Sequence, residues 1–116
     1  MDPVSTVEAL GALAHEHRLA IYRLLVEAGP DGMSAGDIAQ RIGLVPSSLT
    51  FHVQSLQRAG LITQRRLSRQ LFYSADFSAM NELIEYLTKN CCGGESCAPV
   101  CSPRRAKVFA KLRRTA

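Results

Sequence analysis

The stretch "GLVPSSLTFHVQSLQRAGLI", residues 43–62, decides the fold because it predicts a helix with two different faces. Pro46 suits the first helical position, where its missing N–H costs nothing. At about 100° per residue, Leu49, Val53 and Leu56 fall on one side and form an apolar stripe. The opposite side carries Ser47, Phe51, Gln54 and Arg58. We therefore expect a helix that is buried along one side and presents a mixed polar face to a partner.

The segments before this helix predict three more helices. "VEALGALAHEHRLAIYRLLVEAG", residues 7–29, has apolar residues at a helical spacing and predicts two helices broken near His15. "AGDIAQRI", residues 35–42, predicts a short third helix that Ser34 caps and Gly43 ends. The third helix and the one that begins at Pro46 are joined by a tight turn, which is the sequence form of a helix-turn-helix.

The segments after it predict a hairpin and a last helix. "LITQRR" and "QLFYSA", residues 61–66 and 70–75, are two β-rich runs joined by Leu67-Ser68-Arg69. "DFSAMNELIEYLTKN", residues 76–90, predicts a helix with one apolar stripe. The stripe consists of Phe77, Met80, Leu83, Ile84 and Leu87. We expect a mainly α fold with a β-hairpin, a winged helix-turn-helix in the order α-α-α-α-β-β-α.

Length and charge restrict the class of protein. The chain has 116 residues, enough for one domain, and a net charge of +4. No apolar run approaches the roughly 18 residues that span a bilayer, and the start lacks a secretory signal. We therefore expect a cytoplasmic protein with no membrane partner. Between Asp37 and Asp76 there is no acidic residue, which indicates a polyanion-binding face. Because this interval coincides with the predicted helix-turn-helix and hairpin, we expect double-stranded DNA as the partner. The arginines of this interval are Arg41, Arg58, Arg65, Arg66 and Arg69.

Three blocks of sequence resemble the ArsR/SmtB family of metal-sensing winged-helix repressors. They are "LAHEHRLAIYRLL", "LVPSSLTFHVQSLQRAGLI" and "RRLSRQLFYSA", which occur in the family's order and cover nearly residues 9–90. The resemblance implies a homodimer whose first and last helices pack together, and an operator-DNA complex that an inducing ion dissociates. It also implies that Ser47, Ser48, Thr50 and Phe51 approach base edges, with Arg65, Arg66 and Arg69 in the wing. Helical periodicity supports Ser47 and Phe51 independently and adds Gln54 and Arg58.

Phenylalanine and histidine side chains on these helices require an interpretation of their own. Phe51 could contact a thymine methyl group or pack against the preceding helix. His15, His17 and His52 are interpreted as capping or core histidines rather than metal ligands.

The four cysteines of the chain lie within "NCCGGESCAPVC", residues 90–101, just after the last predicted helix. Cytosolic thiols are normally reduced, so the cluster favours metal or redox chemistry over a disulfide framework. Thiolates that converge here suit a soft, thiophilic ion. The segment is similar to the C-terminal arsenic site of one branch of the family, which implies Cys91, Cys92 and Cys97 as ligands of As(III) or Sb(III). Cys101 is a possible fourth or alternative ligand, as in a tetrahedral zinc site.

The other two familiar ion sites of the family are missing. Ser34, Gly36 and Ala39 stand where the third helix of many arsenic-responsive members has cysteines, and the last helix has no histidine. We expect residues 1–90 to form the DNA-binding and dimerisation domain, residues 91–101 the metalloid-binding segment, and residues 102–116 a flexible basic tail.

These observations predict a metalloid-responsive transcriptional repressor that binds operator DNA as a homodimer and is released by As(III) or Sb(III). A zinc- or cadmium-responsive repressor and a thiol-redox-responsive repressor are the alternatives. An enzyme is not expected, because the cysteines follow a helix C-terminus, where the dipole disfavours thiolate, and no CxxC is present. No organic cofactor is expected.

Overall fold

The computed structural model describes residues 1–90 and Gly93, and it contains five helices and three strands in that part of the chain. In chain order the elements are α1 Pro3–Leu13, α2 Glu16–Ala28, β1 Met33–Ser34, α3 Ala35–Ile42, α4 Pro46–Arg58, β2 Ile62–Leu67, β3 Gln70–Ala75 and α5 Phe77–Thr88. The predicted winged helix-turn-helix is confirmed, with β1 as an addition. Among the described helices, none combines the length and the apolar character that crossing a membrane requires.

The chain divides into two compact units, Met1–Tyr86 and Leu87–Ala116. The first contains nearly all of the described elements. Of the second, the structure describes residues 87–90 and Gly93. The cysteine segment 91–101, apart from Gly93, and the basic tail 102–116 lie outside the described residues.

Local signals set the ends of the helices. His15 interrupts the first helical run, because its Nδ1 accepts a hydrogen bond from the His17 amide at 3.1 Å and caps α2. The Ser34 hydroxyl caps α3 in the same way by accepting from the Asp37 amide at 3.2 Å. Gly43 ends α3 in the left-handed region, and Pro46 begins α4. The predicted breaks are therefore confirmed.

The three strands form an antiparallel sheet in the order β1-β3-β2. β2 and β3 pair from Ile62 opposite Ala75 to Leu67 opposite Gln70, so the wing includes Leu67, which the sequence placed in the turn. On the other side of β3, Met33 pairs with Tyr73 and closes the sheet. The sequence did not predict β1, because two residues show no period.

The core lies where α2, α3 and α4 meet the sheet. Its fully buried larger side chains are Ile21, Leu25, Ile38, Val53, Leu56 and Leu61. On α5, Leu83 is buried and Met80 packs against the core, whereas Phe77 and Ile84 stay exposed. The residues that the structure describes thus cover the apolar stripe predicted for α5 only in part.

Gly32 and Gly29 provide a matched pair of substitutions for the β1–β3 contact. Both have positive φ, 74° and 83°, so alanine is strained at either position. At Gly32 a Cβ would also overlap the Tyr73 carbonyl oxygen, whereas at Gly29 it meets nothing within 4 Å. Gly29→Ala should lower the free energy of unfolding by about 1–3 kcal/mol, because its φ of 83° with ψ of −168° is a backbone conformation that essentially only glycine adopts. Gly32→Ala should lower it by more, because the overlap with the Tyr73 carbonyl adds to the strain. Urea denaturation measures both, and equal losses would contradict the close approach.

Candidate nucleic-acid interface

One side of α4 is buried and the opposite side faces outward. Leu49, Val53 and Leu56 are 2%, 1% and 0% exposed, which confirms the predicted apolar stripe. The predicted outer residues Ser47, Phe51, Gln54 and Arg58 are all exposed. The helix has 13 residues, about 20 Å in length, enough to lie along a major groove.

Phe51 is 60% exposed, so packing against the preceding helix does not account for its position. Its ring instead meets the His52 ring edge-on, with centroids 5.6 Å apart. An exposed aromatic side chain in this position offers an apolar contact to a partner surface.

The remaining predicted residues of α4 differ in availability. Ser48 is half-buried, and Thr50 is exposed but donates its hydroxyl to the Pro46 carbonyl at 2.9 Å. The Thr50 oxygen therefore remains an acceptor rather than a free donor. Arg58 borders a surface groove together with Glu8 and Arg18, at the end of α4 nearer to α1.

The three arginines of the wing are not equivalent. Arg65 donates to the Asp31 carbonyl at 2.8 Å, and its guanidinium carbon lies 5.6 Å from the centre of the Phe72 ring. Arg66 follows it on the strand and therefore points to the opposite face of the hairpin. Arg66 and Arg69 are exposed and make no ion pair with any residue that the structure describes. Arg65 thus also braces the wing, and none of the three arginines has an ion-pair partner among the described residues.

The electrostatic character of this surface follows from the spacing of charges along the chain. The ion pair found among residues 1–90 joins Arg23 to Glu27 at 3.3 Å, within α2. The cations of the wing have no ion-pair partner among the described residues, whereas Arg58 of α4 shares a groove with Glu8. Uncompensated positive charge beside an exposed polar helix is the expected footprint of a nucleic-acid-binding face.

The sequence did not predict that the histidines would meet beneath this face. The ring centroids of His15 and His52 are 4.7 Å apart, and His17 lies 5.6 Å from His15 and 5.5 Å from His52. The prediction that His15 is a capping residue is confirmed, and His52 is buried. Burial, followed by the neighbouring charges of His15, Arg18 and His17, lowers the pKa of His52 below its ordinary value.

The predicted ion ligands Cys91, Cys92 and Cys97, and the additional Cys101, lie outside the described residues. Their roles stay predictions. The described chain does establish what occupies the third-helix position. There the Ser34 hydroxyl is used as a helix cap, and Gly36 and Ala39 carry no ligand atom.

Comparison with known proteins gives a consistent result. Residues 13–65 match the helix-turn-helix domain family HTH_20. The chain is 31% identical to the transcriptional activator HlyU of Vibrio cholerae over 91 residues, 78% of this chain and 82% of HlyU. It is 32% identical to the regulator YgaV of Escherichia coli over 83 residues, 72% of this chain and 82% of YgaV.

Solved structures show the same fold. HlyU superimposes with a TM-score of 0.60 at 29% identity, over 79% of this chain and 99% of that protein. The transcriptional repressor BigR of Xylella fastidiosa gives 0.58 at 28% identity, over 74% and 85%. An ArsR-like regulator of Rhodococcus gives 0.64 at 21% identity, over 97% and 93%, which supports the fold. The matched proteins are transcriptional regulators, and this confirms the prediction that the protein is not an enzyme. The chain belongs to the ArsR/SmtB family of winged-helix transcriptional regulators.

Proposed function

We propose that the protein is a repressor that binds operator DNA as a homodimer and releases it when As(III) or Sb(III) binds Cys91, Cys92 and Cys97. The observation that carries the DNA-binding part is the outward face of α4 beside a wing whose arginines form no ion pair with a described residue. The helix-turn-helix regulators among its relatives support the same assignment.

The side chains of α4 suit the reading of base edges in a major groove. Gln54 can make two hydrogen bonds to an adenine edge, one through its amide oxygen and one through its amide NH₂ group, and Phe51 can contact a thymine methyl group. Ser47 at the start of the helix can reach a base or a phosphate. Arg66 and Arg69 reach the phosphate backbone, which positions α4 without specifying sequence.

Exposed apolar residues support the homodimer. Val4 and Val7 of α1 are each 68% exposed, and Phe77 of α5 is 37% exposed. Apolar groups gathered on helices in this way commonly mark an interface with another protein. A second copy that covers them would place two α4 helices on half-sites about 34 Å apart, one turn of DNA.

The cysteine thiols are proposed to bind the inducing ion. As(III) and Sb(III) accept three thiolates, and Cys91, Cys92 and Cys97 are close enough in sequence to converge on one ion, with Cys101 as a possible fourth or alternative ligand. The cysteine segment begins three residues after α5 ends, so an ion there acts next to a helix of the proposed interface. By linkage, an ion that weakens DNA binding must bind the DNA-bound protein less tightly than the free protein, with a difference in binding free energy of typically about 1–3 kcal/mol.

A thiol-redox switch is the second candidate. One solved structure similar to this chain is reduced HlyU, at 30% identity and a TM-score of 0.58. Oxidation of Cys91 or Cys92 to a disulfide with Cys97 or Cys101 would then take the place of ion binding. A zinc- or cadmium-responsive site formed by all four cysteines is the other alternative.

The salt dependence of DNA binding tests the phosphate contacts. Arg66 and Arg69 of two subunits neutralise four phosphates, which gives a log–log slope of about −3.6. Raising salt from about 50 to 200 mM should therefore weaken the DNA complex about 10²-fold. Fluorescence anisotropy with a labelled operator measures this, and an affinity that does not change with salt would exclude the contacts.

Variants of the wing and of α4 should differ in their effect on sequence preference. Arg66→Ala should weaken binding to operator and to random DNA equally and reduce the salt slope by about 1 per subunit. Gln54→Ala should cost about 1–3 kcal/mol on the operator and little on random DNA. Arg65→Ala should also weaken binding to both DNAs, and it should in addition destabilise the wing, since Arg65 donates to the Asp31 carbonyl. A uniform loss in Gln54→Ala would show that this side chain does not read bases.

The cysteine site is tested by As(III) titration of the DNA complex. As(III) should dissociate the wild-type complex and leave the Cys92→Ser complex intact, while Cys101→Ser should still respond. Diamide, a thiol oxidant, should have no effect at the concentrations that As(III) requires. Dissociation of the Cys92→Ser protein from DNA on adding As(III) would contradict the ligand assignment. Dissociation of the wild-type complex by diamide alone would favour the redox switch.

A further inference from the structure

The chain contains three histidines, and the fold brings all of them to one place. His15 and His17 lie at the start of α2, and His52 lies in the middle of α4. One ring nitrogen from each can be chosen so that all three lie within 4.8 Å of one another. Among the described residues, the His15 cap is the one hydrogen bond that uses an imidazole of this cluster.

The distances are close to those of a metal site. Zinc–imidazole bonds of about 2.0–2.1 Å place the nitrogens of a tetrahedral site about 3.4 Å apart. Side-chain rotation of His15 and His17 at the helix start can supply the difference, because His17 is only half-buried and its imidazole makes no hydrogen bond with a described residue.

His52 offers a coordination position that no described residue fills. The side chain is 8% exposed, and its Nδ1 has no hydrogen-bond partner among the described residues. A buried polar atom left without a partner typically costs about 1–3 kcal/mol. A ligand at this imidazole would remove part of that cost.

The type of ion follows from the donors. Three neutral imidazoles suit borderline divalent ions such as Zn²⁺, Co²⁺ and Ni²⁺, whereas Ca²⁺ and Mg²⁺ require oxygen. Arg18 lies near enough to influence His52 electrostatically and provides no counter-charge. The site is therefore weaker than one that includes a carboxylate, and it leaves the fourth position open to water.

We propose that His15, His17 and His52 bind one divalent transition-metal ion of borderline softness, such as Zn²⁺. His15 joins the site by exchanging the His17 amide for the ion at Nδ1, or by rotating away from that amide, so binding alters the first turn of α2. The ion links that turn to α4 next to Phe51. An effect of this ion on DNA binding rests on the proposed function, whereas the binding of the ion itself does not.

Cobalt spectroscopy on the full chain tests the site without DNA. Serine replaces Cys91, Cys92, Cys97 and Cys101, so that no thiol competes, and Co²⁺ serves as the probe. We expect visible d–d absorption that saturates at one ion per chain, lacks sulfur charge transfer and is displaced by Zn²⁺. Because arsenic is absent and the thiols are removed, the result is independent of the proposed metalloid response.

The decisive variant is His17→Gln, because its imidazole neither caps α2 nor fills the core. It should weaken Co²⁺ binding at least tenfold, while Glu16→Gln, the neighbouring exposed residue, should leave the affinity unchanged. Circular dichroism checks that both variants are folded. The conclusion does not depend on His52→Gln, because His52 is buried and its replacement also alters the core. Absence of d–d absorption, or an unchanged affinity in His17→Gln, would overturn the site.

Discussion

Burial of one side of α4 is the constraint on which the rest of the structure depends. Leu49, Val53 and Leu56 are at most 2% exposed, and each buried side chain of this kind contributes about 2 kcal/mol. The helix can satisfy all three in only one rotation about its axis. The same rotation turns Phe51 and Gln54 outward, so the surface proposed to read DNA is a consequence of core packing.

The sheet positions the second part of that surface. β3 pairs with β2 on one side and with β1 on the other, and Gly32 allows β1 to approach the Tyr73 backbone. Arg65 connects the hairpin to the Asp31 carbonyl. Gly32 and Arg65 therefore hold the wing in place beside α4.

Local patterns were sufficient for the helices, because caps and breaks depend on near neighbours. The signals at His15, Ser34 and Pro46 each act within about one turn. They were insufficient for β1, whose two residues acquire strand geometry only by pairing with β3. They were also insufficient for α5, because a helical period shows which residues share a side and does not show what covers Phe77.

By itself the sequence determined the order of elements, the two faces of α4, the acid-free basic interval and the crowding of thiols after α5. All of these depend on residues close together along the chain. Only the tertiary structure decided that Arg65 reaches the Asp31 carbonyl, and that His52 meets His15 and His17. Those facts are distances between segments far apart in sequence, and packing of the core sets them.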